Sequence, residues 1–331
     1  MNQGGLAMRF MSVLFTVLTL STSALAELKY TKSPDAVCND GNQATFSHFP
    51  AKSNKWLVYV QGGGVAINAD SYRQRNIHMK TAMSLDHFGD WYPMVRDFSE
   101  NGYNVIVIPH CSSDMHQGFH SHEIDGKTVK FHGRKIFEDI FSQYDSTFAA
   151  ADSLVIAGYS AGSIGIGFNA DLIAKYDHAF VVADSFWLDS ESLKARLGWT
   201  TGPWAEITKF IYSNMPAHCQ ANHWAHCFPS RPHFEKMGIK HVFPIWNIGD
   251  SYNRHGDQTV VRASTHADIN FYGAGFSIDA RKRNAVGFEG NNYGHVMTGN
   301  KLYTRAFDGV SVRDMIWNWI EGRTPSIHIL D

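Results

Sequence analysis

A serine set between glycines, Gly158-Tyr159-Ser160-Ala161-Gly162, follows the apolar run Leu154-Val155-Ile156-Ala157. The pattern is that of a nucleophile elbow: a strand stops abruptly, a helix starts, and the serine hydroxyl stands exposed on the strained bend while the glycines make room for the backbone. The strand is expected over residues 153–157. The helix is expected over residues 161–174, whose sequence AGSIGIGFNADLIA is apolar enough to be buried. A serine hydroxyl is a poor nucleophile at neutral pH, so acyl transfer also requires a base, an acid that orients the base, and donors for an oxyanion.

Each of these has a candidate. Gln61-Gly62-Gly63-Gly64 follows the strand-like run 56–60, and glycines at the carboxyl end of an early strand let backbone N–H groups point at a developing oxyanion. Gly63 and Gly64, with the Ala161 amide just after the nucleophile, are the expected donors. The acid is expected after a late strand, and the run 241–248 leads to Asp250; Asp257, seven residues on, and Asp184, after the apolar run 179–183, are rivals for the role. His295 lies in the polar segment Asn291-Asn292-Tyr293-Gly294-His295 and completes the chain order Ser160, Asp250, His295. With 18 histidines in the chain, composition does not select the base, and most of the others are read as surface or structural residues.

The same residues carry a family resemblance. Cys38-Asn39-Asp40-Gly41, the run 56–59 with its glycines, Cys111-Ser112-Ser113-Asp114, Gly158 to Gly162 and Ala183-Asp184-Ser185 occur in the order of the pectin acetylesterase and Notum family, which the chain resembles over most of its length. The resemblance implies carboxylic ester hydrolysis without a cofactor. It puts Ser160, Asp250 and His295 on the triad positions and Gly63, Gly64 and Ala161 on the oxyanion positions. The chain departs from the family pattern in having Gln61 before the glycines, Val65-Ala66 after them, and no cysteine shortly before His295. These departures bear on the pocket and the disulfides, not on the reaction class.

The elements that must position this chemistry are legible in outline. Strand-like runs at 56–60, 103–109, 153–157, 179–183 and 241–246 alternate with helix-like segments, the signature of a mostly parallel sheet, and the fold class expected is α/β, hydrolase-like. Residues 134–143 place Ile136, Phe137, Ile140 and Phe141 on one helical face. Val312, Met315, Ile316, Trp319 and Ile320 recur at helical spacing behind Ser311, with Asp314 completing a capping box. Residues 188–232 lose the pattern and are rich in aromatics, among them Trp199, Trp204, Phe210, Ile211, Trp224 and Phe228; with the neighbouring Trp187 these read as an insertion over the site, lining a pocket or packing under a long loop.

The amino terminus has a basic residue, Arg9, an apolar stretch over 10–20 and Ala24-Leu25-Ala26, the form of a secretory signal cleaved before Glu27. Residues 27–331 then make one α/β domain exported to the periplasm or beyond, with no stable membrane anchor. Four cysteines in an oxidising compartment argue for two disulfides. Proximity pairs Cys219 with Cys227, and the family resemblance pairs Cys38 with Cys111. A zinc site at Cys219, His223, His226 and Cys227 and a metal cluster at His116, His120 and His122 are the alternatives, and they would make the chain a metal-dependent hydrolase.

A formal charge of −2 provides no basic field for nucleic acid, and 44% hydrophobic with 13% aromatic residues supply a substantial core. The function expected is removal of small acyl groups, most simply acetyl, from a polysaccharide such as pectin. A lipase-like esterase of longer chains and a secreted carbohydrate-binding protein without catalysis are the other readings.

Overall fold

In this computed structural model the described residues are 26–82, 92–188, 210, 215–220, 224–247, 250, 258–279, 295–324 and 326–330. The signal segment, Asp257, His223, Trp199, Trp204 and Ile211 lie outside them. The strands, in chain order, are β1 (Glu27–Tyr30), β2 (Thr45–Phe49), β3 (Lys55–Val60), β4 (Asn104–Ile108), β5 (His120–Ile124), β6 (Lys127–Phe131), β7 (Ser153–Tyr159), β8 (Ala179–Asp184), β9 (His241–Asn247), β10 (Gly275–Ile278), β11 (Ala306–Phe307), β12 (Val310–Ser311) and β13 (Ile327–Leu330). Among the described residues one nine-stranded sheet dominates, ordered β1-β2-β4-β3-β7-β8-β9-β10-β13. From β4 to β13 every neighbouring pair is parallel, while β1 and β2 form an antiparallel edge.

Strands buried on both faces read as near-continuous apolar runs, and β3, β4 and β7 do so after their first, polar residues Lys55, Asn104 and Ser153. Their side chains divide by the period of two. Val58, Val60, Ile106, Ile108, Leu154 and Ile156 pack on one face beneath the helix Gly133–Ala149, whose Ile136, Phe137, Ile140 and Phe141 are the stripe expected from the sequence. Leu57, Tyr59, Val105, Val107, Val155 and Ala157 face the other way, against Met94, Val95 and Phe98 of the helix Pro93–Glu100 and Val312, Met315 and Ile316 of the helix Val312–Ile320. Ser311 caps that last helix by accepting from the Asp314 amide, but the Asp314 carboxylate accepts from the Ser311 hydroxyl and not from its backbone N–H, so the N-cap forms without the reciprocal half of the expected capping box.

Two expectations change. The helix behind the elbow is not continuous over 161–174: it runs Ala161–Phe168, and Asn169 separates it from a short turn Ala170–Ile173. The Asn169 amide group donates at 2.7 Å to both the His116 and Gly165 carbonyls, and its oxygen accepts from Arg134, so its side chain competes for backbone partners as asparagine does. The outer strands β1, β2, β10 and β13 and the β5–β6 hairpin lie outside the five expected runs. They are short, and their polar positions break up the apolar signal.

Both disulfides form, Cys38–Cys111 and Cys219–Cys227. The second occupies both thiols that the zinc reading needs, which overturns that reading. In the chain-entropy picture a crosslink stabilises by restricting the unfolded chain, more for longer loops. Cys38–Cys111 closes 73 residues and Cys219–Cys227 only 8. Replacing Cys38 and Cys111 by alanine is therefore expected to cost about 4 kcal/mol in urea unfolding, and the Cys219/Cys227 pair about 2–3 kcal/mol; equal losses would contradict the loop-length account.

Several buried histidines tie stability to pH. Burial holds the pKa of His116, His120 and His233 down to about 4 and that of His110 well below its ordinary value. Between pH 6.5 and 4 the unfolded chain binds protons at these sites that the folded chain refuses, so each subtracts stability as pH falls through that window. Asp114, pushed up to about 6 by burial, and Asp184, also raised by burial, act in the opposite sense, because the folded carboxyls keep a proton that the unfolded chain has released. The four histidines outnumber the two carboxyls. The urea midpoint is expected to be lower at pH 4.5 than at pH 7, and a midpoint that held or rose would show that the carboxyl terms dominate.

Candidate active site

Parallel strands deliver their carboxyl ends to one edge of the sheet, where loops can converge on a ligand. The register fixes the neighbours: Val60 of β3 lies opposite Gly158 of β7, and Tyr159 of β7 lies opposite Asp184 of β8. Ser160 follows directly, at φ 51° and ψ −122°, a strained conformation for a residue with a side chain, and the helix Ala161–Phe168 starts from it. Both glycines of the motif are explained by contact. A Cβ on Gly162 would lie 2.1 Å from the Val60 carbonyl oxygen, and one on Gly158 would lie 2.7 Å from the Gly162 backbone. Only glycine lets the elbow press this closely on β3 and on itself.

Across this edge the structure brings together Ser160, His295 and Asp250. His295 Nδ1 lies 2.8 Å from Asp250 Oδ2, and Nε2 lies 3.1 Å from Ser160 Oγ. A carboxylate can only accept, so Nδ1 carries the proton of the neutral ring and Nε2 is left to accept from the serine hydroxyl. Asp250 is fully buried and His295 nearly so. Such a relay can withdraw the serine proton as Oγ attacks a carbonyl.

Asp184, the rival acid, has a different place. Its carboxylate accepts from the Ser185 hydroxyl at 2.7 Å, from the Met297 and Thr298 amides at 2.8 and 2.7 Å, and from the Thr298 hydroxyl at 2.7 Å. Its backbone carbonyl accepts from the Ser160 amide at 2.9 Å. The Ser185 hydroxyl accepts from the Val296 amide at 2.6 Å, the residue after His295, and both Ser185 and Val296 have positive φ. Asp184 thus joins the elbow to the segment carrying His295.

The glycine loop abuts the elbow from the β3 side. A Cβ on Gly62 would fall 2.5 Å from the Tyr159 carbonyl oxygen, which sets the loop against the residue preceding Ser160. Gly63 and Gly64 have φ +129° and +69°, conformations that disfavour a side chain, and Met79 covers Gly63. Behind the loop lies 110–118, the segment that contains Cys111-Ser112-Ser113-Asp114. Asp114 accepts from the Ser112 hydroxyl at 2.5 Å and from the amides of His116, Gly118 and Gly133 at 3.1, 3.0 and 2.9 Å, holding a turn in which Ser113, Met115 and His116 all have positive φ.

The three histidines of the alternative metal cluster do separate work. His116 Nε2 donates to the Gln61 carbonyl at 2.8 Å, whereas His122 Nε2 donates to the Phe210 carbonyl and stacks on the Phe210 ring, and His120 stacks on Phe131. Sequence reasoning does not single out Arg75, which donates to the Gly63 carbonyl and to the Ser113 hydroxyl, both at 2.8 Å. Its only hint is its nearness in sequence to the glycines. Of the aromatics in and beside the expected insertion, Trp187 is buried with its indole N–H on Asp268 at 3.0 Å, and Phe228 packs edge-on against Phe168 and Phe186, so both belong to the core.

Because Asp184 spans two loops that must stay in register, Asp184→Asn is expected to keep most of its volume yet weaken the link. The folded variant should show faster hydrogen exchange at Met297 and Thr298 than at the β3 amides; unchanged exchange there would remove Asp184 as the tie.

Known proteins resemble this chain in sequence and in fold. Palmitoleoyl-protein carboxylesterase NOTUM from human is 30% identical over 152 residues, which is 42% of this chain and 30% of the relative, and the Schmidtea mediterranea protein of the same name is 26% identical over 160 residues, 44% of this chain and 30% of the relative. The matched stretch thus spans about a third of these relatives' length. The crystal structure of the Wnt deacylase Notum from Drosophila superposes with a TM-score of 0.67 over 92% of this chain and 95% of that one at 18% identity, a likeness of fold. The family model for pectinacetylesterase matches residues 20–237, and the chain belongs to the pectinacetylesterase family.

Proposed function

We propose that the protein is an exported serine carboxylesterase that releases small acyl groups, acetyl first among them, from an acylated carbohydrate. The observation that carries this reading is the continuous hydrogen-bonded line from Ser160 Oγ through His295 to the buried Asp250. His295 takes the serine proton as Oγ attacks the ester carbonyl, and Asp250 orients the ring and stabilises its charged form. The amides of Gly63, Gly64 and Ala161 hold the oxyanion, and water then releases the acid. A non-catalytic binding protein would need none of this alignment. Export fits a chain with two disulfides, and among the described residues no helix is long and apolar enough to cross a membrane. The signal over residues 1–26, a single domain over 27–331 and an insertion over 188–232 form part of the same proposal.

A second reading, hydrolysis of longer acyl chains, is favoured by one feature. Ala161, next to the nucleophile, belongs to an apolar cluster with Ile164, Phe186 and Leu188, against which Val65, Ile67, Phe210 and Met215 are only partly buried. The NOTUM relatives are named for palmitoleoyl-protein esters, which gives the longer-chain reading chemical precedent.

The test is acid release from p-nitrophenyl esters of graded chain length and from acetylated pectin, beside Ser160→Ala. The folded variant is expected to lose on the order of 10⁴-fold or more in kcat. The rate of the wild type should fall on acidification as the essential imidazole takes up a proton. Highest kcat/KM on acetyl esters favours the deacetylase and a rise with chain length favours the second reading; activity surviving in Ser160→Ala would remove the nucleophile.

A further inference from the structure

The glycine loop is fastened at its carbonyls. His116 Nε2 donates to the Gln61 carbonyl and Arg75 Nη2 to the Gly63 carbonyl, each at 2.8 Å. In a trans peptide the carbonyl and the following N–H point in opposite directions. A donor on the Gln61 oxygen therefore turns the Gly62 amide away from His116, and a donor on the Gly63 oxygen turns the Gly64 amide away from Arg75. Among the described residues neither amide donates to a backbone carbonyl, and the Gly62 amide is directed at the Tyr159 hydroxyl.

The fasteners are themselves held. Arg75 Nε donates to the Ser113 hydroxyl at 2.8 Å, and that hydroxyl donates to the Met79 carbonyl at 2.7 Å. Ser113 and His116 sit in the strained turn organised by Asp114, and Cys111 at the start of that turn is bonded to Cys38. Burial lowers the Arg75 pKa only to about 10, so the guanidinium stays charged at neutral pH and places a fixed positive charge behind the loop.

Resting on the esterase reading, we propose that Arg75 is a positioning residue of the oxyanion-binding loop, holding the Gly63 carbonyl back so that the Gly64 amide faces the ester oxygen at Ser160, while His116 fixes the start of the loop through the Gln61 carbonyl. Glycines at positive φ can turn either way, and a peptide flip at 63–64 would replace an N–H donor by a carbonyl that repels the oxyanion. Arg75 makes that flip unfavourable by claiming the carbonyl. On this account the Ser-Ser-Asp segment after Cys111 serves the reaction through Arg75 and His116 without touching the substrate.

The test uses the full mature protein and p-nitrophenyl acetate, with wild type, Arg75→Met, Arg75→Lys and Ser113→Ala. An oxyanion donor contributes about 10²–10³-fold to kcat, so Arg75→Met is expected to lower kcat by about 10²-fold while KM changes by less than about threefold. Affinity for a trifluoromethyl ketone, which forms a tetrahedral adduct with the serine, should fall by the same factor as kcat, because only the adduct carries the oxyanion. Arg75→Lys, which keeps one charged donor, should recover part of the loss. Ser113→Ala, which frees the guanidinium without removing it, should lose about three- to tenfold. If Arg75→Met does not fold, the lysine and Ser113 variants decide. A wild type active on the ester with Arg75 and Ser113 variants of unchanged kcat, or changed only in KM, overturns this proposal alone; a wild type inactive on every ester of the series overturns the esterase reading beneath it.

Discussion

The arrangement depends on a strained serine being held in place. Ser160 is held at positive φ where a helix leaves a strand, and the constraint that keeps it there is the hydrogen bond from its amide to the Asp184 carbonyl of the neighbouring strand. The same residue's carboxylate grips Met297 and Thr298, three donors in all from the segment carrying His295, with the Ser185 hydroxyl on its other oxygen. Ser160 and His295 come from positions 135 residues apart. Their 3.1 Å contact survives only if the two backbones cannot slide, and Asp184 couples them through one buried side chain. Burying a carboxylate raises its pKa and costs free energy, and four donors offset that cost.

A second support works from the opposite side. The glycine loop has little conformational preference of its own, so its shape is imposed by the structure behind it: the turn at Asp114, the histidine and arginine that reach the loop carbonyls, and the disulfide that fixes the start of the turn to the amino-terminal segment. Positive φ at Ser113, Met115 and His116 means that this support stores strain of its own, held by the Asp114 acceptors. The site is thus clamped between two buried aspartates. Asp250 meets the His295 imidazole; Asp114 and Asp184 hold the backbone around it.

The sequence by itself determined the central strands β3, β4, β7, β8 and β9 and offered Ser160 and His295 as candidates for the site. Short continuous apolar runs rich in β-branched residues, such as Trp56 to Val60 and Leu154 to Ala157, fit strands buried on both faces, and the alternation with amphipathic segments implies parallel order. The elbow glycines, the loop glycines and the order Ser160, Asp250, His295 are local patterns, because each rests on backbone freedom or on position just past the end of a strand. What only the tertiary structure decided was which of several equivalent side chains stands where. Asp184 and Asp250 both come after apolar runs, and no spacing separates them; the difference arises because the strand register sets Asp184 beside Tyr159, one step from Ser160, where its acceptors meet backbone amides instead of the imidazole. Arg75, His116 and the break at Asn169 were hidden for the same reason. Their partners are carbonyls brought near by folding, and a carbonyl looks the same at every position of a sequence.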